Sequence, residues 1–315
     1  MAEASGRRSG ADFARLAARL VSWPGLAPWV DQVAALPCGE APLWDSLFLE
    51  SPLAGAPGRV DFLAGLASID GGGPPDLDGP WRASPALAAW RPDGALAACP
   101  LVWFEWDRSS GRWAEPLCWI GLSSAPLAER GLGDTSNLTL ARAALGALVA
   151  DTAPYGDTIE RCVEALQGDG ELLHMGSLAP RGLSRLRLSF AVRAHAVAGW
   201  LSRIGWPGET RAVGRSLFEV EQPYTHVGVQ VELTPGVGSY LGVECQEYRT
   251  GEHAAAEAAD QIAAIAALAP VARDPTDALR AWAGEDESGT RHGYVKLVRE
   301  PGGWSAKLYL GFTRR

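Results

Sequence analysis

Long apolar runs are missing from this chain, and with them any helical membrane span. No stretch reaches the roughly 18 residues that a bilayer-crossing helix needs. Positive charge is scarce as well: 28 Lys and Arg stand against 37 Asp and Glu, a formal net charge of −9. That excludes the dense basic surface by which proteins neutralise nucleic-acid phosphates. The five cysteines (Cys38, Cys99, Cys118, Cys162, Cys245) are scattered with no CxxC pair, and the five histidines form no HExxH. Neither a disulfide framework nor a dedicated metal site is expected, and the cysteines read as small buried hydrophobes of a reducing, cytoplasmic compartment. Residues 1–10 carry two arginines but lack the apolar core of a signal peptide. They predict a loose tail ahead of one domain over 11–315.

What is plentiful is apolar material, 47% of the chain with 13 tryptophans, enough for one large core. Its arrangement is that of paired strands. Tyr294–Val298 and Ala306–Leu310 alternate polar and apolar residues around the turn cluster Glu300-Pro301-Gly302-Gly303, which predicts a β-hairpin with one apolar face. Val227–Leu233 and Tyr240–Glu244 flank Pro235–Gly238 in the same way. Glu171–Leu178 pairs with Arg185–Phe190 across Pro180-Arg181-Gly182, and Leu101–Asp107 with Leu117–Leu122 across Ser109-Ser110-Gly111. A weaker pair, Leu47–Ser51 and Arg59–Leu66, lies nearest the N-terminus.

Helical stretches separate the hairpins. Phe13–Val21 and Trp29–Leu36 precede the first, and the Ala-rich Pro85–Trp90 the second. Leu138–Val149 and Ile159–Leu166 precede the third, with Asp157 as an N-cap. Ala196–Ile204 and Arg211–Val220 precede the fourth, Ala254–Leu268 and Pro275–Trp282 the fifth. The unit is two helices and a hairpin, repeated about every 60 residues. A lone hairpin leaves unpaired edges. Five hairpins in a ring form a closed ten-stranded antiparallel barrel of α+β class, with helices over its apolar outer face and polar residues inside. An open sheet with helices on one side is the alternative.

Alternation assigns side chains to the lumen. With Leu186, Leu188 and Phe190 facing helices, Arg185, Arg187 and Ser189 face in. By the same rule Ser305, Lys307, Tyr309, Tyr294, Lys296, Gln230, Glu232, Tyr240 and Glu244 face in. Four cations, three tyrosines and several carboxylates then share one cavity, where Lys296 and Lys307 also have the option of pairing with Glu232 and Glu244.

This plan resembles the ABBA barrel of the aromatic and peptide prenyltransferase superfamily. Arg185-Leu186-Arg187 is similar to that family's basic-x-basic strand, Lys307-Leu308-Tyr309 to its Lys-x-Tyr, and Phe48-Leu49-Glu50-Ser51 to its early-strand glutamate. Ser189 stands where the pattern has tyrosine. The resemblance implies transfer of an isoprenyl group from an allylic diphosphate to an aromatic or peptide acceptor. Arg185, Arg187, Lys296 and Lys307 would hold the diphosphate, and Tyr240, Tyr294 and Tyr309 would shield the carbocation. Gln230, Glu232 and Glu244 would meet the acceptor, with Glu50 as catalytic base. The isoprenyl diphosphate is then a co-substrate, no cofactor or metal is obligatory, and Mg is not implied. No nucleic-acid or membrane partner is expected. The competing expectation is a non-catalytic peptide- or small-ligand-binding accessory protein of natural-product maturation. The two part on whether the basic residues converge without carboxylate partners.

Overall fold

The computed structural model describes residues 46–54, 61–67, 85–122 (apart from 92, 110, 111 and 114), 137–220, 226–245, 262–272, 275–276, 282, 284–286, 289–300 and 302–314. The tail at 1–10, the helices expected at Phe13–Val21 and Trp29–Leu36, and residues 254–261 lie outside that set, as does most of Pro275–Trp282.

The strands are β1 (Ser46–Pro52), β2 (Asp61–Ala67), β3 (Leu101–Trp106), β4 (Arg108–Ser109), β5 (Arg112–Trp113), β6 (Leu117–Gly121), β7 (Gly170–Ser177), β8 (Leu186–Arg193), β9 (His226–Leu233), β10 (Val237–Cys245), β11 (Gly284–Asp286), β12 (Gly289–Glu300) and β13 (Gly303–Arg314). The helices are α1 (Pro85–Ala89), α2 (Asn137–Leu148), α3 (Gly156–Glu164), α4 (Val197–Arg203), α5 (Thr210–Val220) and α6 over 262–268. No helix among the described residues is long and apolar enough to cross a membrane.

Ten strands run in the order β10-β9-β8-β7-β6-β3-β2-β1-β13-β12, and β12 pairs back to β10. Every pairing is antiparallel, so the sheet closes into a ten-stranded barrel, and the open-sheet alternative is set aside. Closure removes the edges that a hairpin would otherwise expose. All five expected hairpins are present. The β3–β6 connection turns where expected, after Ser109, and β4 and β5 continue it as a small ribbon. A full helix pair precedes β7 and another precedes β9, whereas one described helix precedes β3 and one precedes the β12–β13 hairpin.

The period of two decides where the core sits. Odd positions of β1 and even positions of β2, β3, β8 and β13 (Leu47, Leu49; Phe62, Ala64, Leu66; Val102, Phe104, Trp106; Leu186, Leu188, Phe190; Ala306, Leu308, Leu310) point outward and are buried under helices. Each such Leu or Val contributes about 1.5–3 kcal/mol by leaving water. Trp200 of α4 packs on Phe190 at 4.8 Å between ring centroids and donates its indole N–H to the Cys162 carbonyl at 2.9 Å. That one side chain locks α4, α3 and β8 together.

One local expectation is corrected. Tyr155, not Asp157, occupies the α3 N-cap, and no side chain caps the helix; Asp157 lies inside its first turn. The carboxylate acts there on the positive end of the helix dipole.

Candidate functional site

The inward positions build the site. Bulky residues of the lumen lie on glycines of the neighbouring strand. A Cβ added to Gly311 would sit 2.0 Å from the Phe48 ring, one on Gly65 2.9 Å from Trp103, and one on Gly176 2.6 Å from Trp119. Only glycine lets these rings settle on the wall. Phe48 then meets Trp103 edge-on at 5.5 Å and Tyr294 at 6.1 Å, and Tyr294 stacks on Tyr309 at 4.6 Å with an 8° interplanar angle. Strands β6, β3, β1, β13 and β12 thus carry one aromatic wall.

The remaining inward positions carry charge. Lys307 on β13 donates to Glu50 on β1. Lys296 on β12 donates to the Gln230 side-chain oxygen at 2.6 Å and lies 3.6 Å from Glu244, while Gln230 donates to Glu244 at 2.7 Å. On β8, Arg187 grips one Glu232 oxygen through Nε at 3.2 Å and Nη2 at 2.6 Å, and Arg185 donates to the other at 3.1 Å. Arg187 also rests 4.1 Å above the Tyr240 ring. Arg181, from the β7–β8 turn, reaches into the barrel end, where it donates to Asp107 and, at 2.6 Å, to Glu105. Trp119 supplies Glu105 with a further indole N–H at 2.9 Å.

These pairings govern the electrostatics. Burial alone raises a carboxyl pKa, yet Glu105 is held below its ordinary value, because Arg181, Arg187, Lys296 and Lys307 together outweigh desolvation. Glu244 behaves oppositely. Burial pushes it up, with Glu50 and Glu105 adding to the rise, and the nearby Lys296 does not cancel it. Lys307 rises despite burial, chiefly because of Glu50. Two of these groups stay accessible to water: 28% of the Lys307 side chain and 24% of the Glu244 side chain are exposed, against 4% for Lys296 and Glu50.

The structure brings every singled-out residue to the barrel's inner face, Arg185 lying at its lip. Lys296 takes Glu244 as a partner, as alternation allowed; Lys307 takes Glu50, and Glu232 serves the two arginines. Tyr294 and Tyr309 form a pair, while Tyr240 belongs with Arg187. Sequence reasoning missed Glu105, Asp107 and Arg181, and it missed the aromatic wall of Phe48, Trp103 and Trp119. The signal for Glu105 was present, since it shares the parity of Trp103 on a strand whose other face is Val102, Phe104 and Trp106. The N-terminal hairpins bring carboxylates inward (Glu50, Asp61, Glu105), and the C-terminal ones bring Lys296 and Lys307.

Among the described residues no group of three or more His, Cys, Asp or Glu has the spacing to hold a metal ion. No protein-family model matches the sequence, and no curated protein matches it.

Proposed function

We propose that this chain is a binding barrel. Its lumen takes a peptide or small molecule that presents an N–H or cationic group beside an apolar body, in an accessory role of the kind found in modified-peptide maturation. The observation that carries this reading is that the three cations inside the lumen (Arg187, Lys296, Lys307) each have a carboxylate within ion-pair reach, while Arg185 at the lip commits one nitrogen to Glu232. A diphosphate needs unspent cations, since its binding energy comes from charge-assisted bonds. Among the inward carboxylates, Glu244 combines access to water with a long ion-pair contact, 3.6 Å to Lys296, and burial holds its carboxyl pKa above the ordinary value. A cation or N–H gains from the carboxylate, and its body gains from the rings.

Calorimetric titration with tryptamine and with geranyl diphosphate tests this. Tryptamine is expected to bind, and Glu244→Gln to weaken it roughly 10-fold or more, the range for losing a charged partner. Geranyl diphosphate binding with no tryptamine binding overturns the reading.

A second reading is prenyl transfer on the ABBA plan, with its fivefold ααββ repeat. The parallel Tyr294–Tyr309 stack, with Lys296 Nζ 5.6 Å from the Tyr309 ring, favours it, because such faces stabilise a passing carbocation. There Arg185, Arg187, Lys296 and Lys307 hold the diphosphate and Glu50 is the base. Turnover of geranyl diphosphate with an aromatic or peptide acceptor would establish it.

A further inference from the structure

At the hairpin end of the barrel a polar cleft of about 400 Å³ opens between the β9–β10 turn, the start of β8 and the end of β12. Two guanidinium groups, Arg185 and Arg299, line it with Glu232, Thr234, Ser239 and Tyr240. We propose that this cleft is an oxyanion site, which receives a carboxylate or phosphate group of the ligand at the mouth of the lumen. The inference deepens the lumen-binding reading and rests on it for the rest of the ligand.

The argument is a count of unspent donors. Among the described residues Glu232 is the only carboxylate lining the cleft, and both its oxygens are engaged: one by Arg187 through two N–H groups, the other by Arg185. Arg185 uses a single nitrogen in that contact and keeps 45% of its side chain exposed, so the rest of its guanidinium fork remains for a ligand. Arg299 contacts the Trp304 ring at 5.6 Å and has no carboxylate partner among the described residues. Its planar donors are held by the ring and not consumed by it. Thr234 and Ser239 are exposed and add hydroxyl donors beside them.

Deeper in the lumen, Lys296 and Lys307 face Glu50, Glu105 and Glu244, whereas Arg181 and Asp107 lie at the same hairpin end as the cleft. The lining of the mouth therefore carries surplus positive charge on a chain of net charge −9, and the interior carries the opposite sign. Such a field orients a ligand, its anion at the lip and its cation or N–H inside. Forked Arg donors suit the planar or tetrahedral oxygens of a carboxylate or phosphate.

Calorimetric titration of the full chain with inorganic phosphate, with N-acetylglycine and with the neutral amide of N-acetylglycine tests the site and distinguishes the two anion sources. At least one anion is expected to bind saturably and the amide not to bind. Arg299→Gln and Arg185→Gln are each expected to weaken the anion roughly 10-fold or more, and the surface variant Thr234→Val to weaken it less. Glu244→Gln is expected to leave anion binding intact while losing tryptamine, so failure of the lumen reading shows separately from failure of the cleft. Absence of binding by both anions, or wild-type anion affinity in folded Arg299→Gln and Arg185→Gln, overturns the proposal.

Discussion

Glu50 and Lys307, 257 residues apart in the chain, form an ion pair across the junction between β1 and β13, the first and last strands of the barrel. The pair ties the N-terminal hairpin to the C-terminal one from inside, where little water screens it.

Removing one partner of this pair should cost more than removing both. Glu50→Gln leaves the Lys307 charge facing a desolvated lumen, and losing one partner of a buried pair costs about 3–5 kcal/mol. Because 28% of Lys307 is exposed, the lower end of that range applies. Glu50→Leu with Lys307→Met should recover most of the loss. Chemical denaturation of the single and double variants checks this, and additive losses would show that the two groups act independently.

The glycines beneath the aromatic wall should not tolerate a methyl group. Gly311→Ala places a Cβ 2.0 Å from Phe48, and Gly176→Ala one 2.6 Å from Trp119. Overpacking of this kind costs about 1–3 kcal/mol. Phe48→Leu should rescue Gly311→Ala and leave Gly176→Ala unchanged, which thermal melts of the double variants would read out.

Glu105 should dominate part of the acid limb. Its folded pKa lies below the ordinary 4.5, so between the two values the unfolded chain binds the extra proton. Its contribution is therefore complete above pH 4.5 and is lost as the pH falls through the folded value. Stability of Glu105→Gln measured against pH should be lower at neutrality and flatter below pH 4.5 than that of the parent.

Cys99 and Cys162 should be inert while the protein is folded. Burial raises the first to about 11 and the second to about 12, and the thiolate is the reactive form. Mass spectrometry after iodoacetamide treatment at pH 8 should find both unmodified until denaturant is added.

The barrel was legible because a half-buried strand writes its two faces into alternate residues. Leu186-Arg187-Leu188-Ser189-Phe190 and Tyr294-Val295-Lys296-Leu297 reveal their inward sets without reference to any partner, and closure follows from counting edges. Glu50 faces inward as alternation places it, despite the short strand and nearby Pro52. Pairing was less legible. Which carboxylate meets which cation depends on register between strands distant in sequence, so Glu50–Lys307 and Glu232 between two arginines emerge only when Glu50↔Tyr309 and Arg187↔Glu232 are set side by side. Arg181 was hidden for another reason. It sits in a turn, where alternation says nothing, and its inward reach comes from the three-residue helical turn Ala179–Arg181 and the left-handed Gly182.

The central claim is that the lumen cations are spent on carboxylates, and the affinity of geranyl diphosphate for the Glu50→Leu/Lys307→Met double variant tests it most directly. This variant deletes both members of the Glu50–Lys307 pair. If Lys307 belongs to Glu50, calorimetry will give the same diphosphate affinity, however weak, in the variant and the parent. A roughly 10-fold or greater loss in the folded variant would contradict the account and assign Lys307 to a diphosphate.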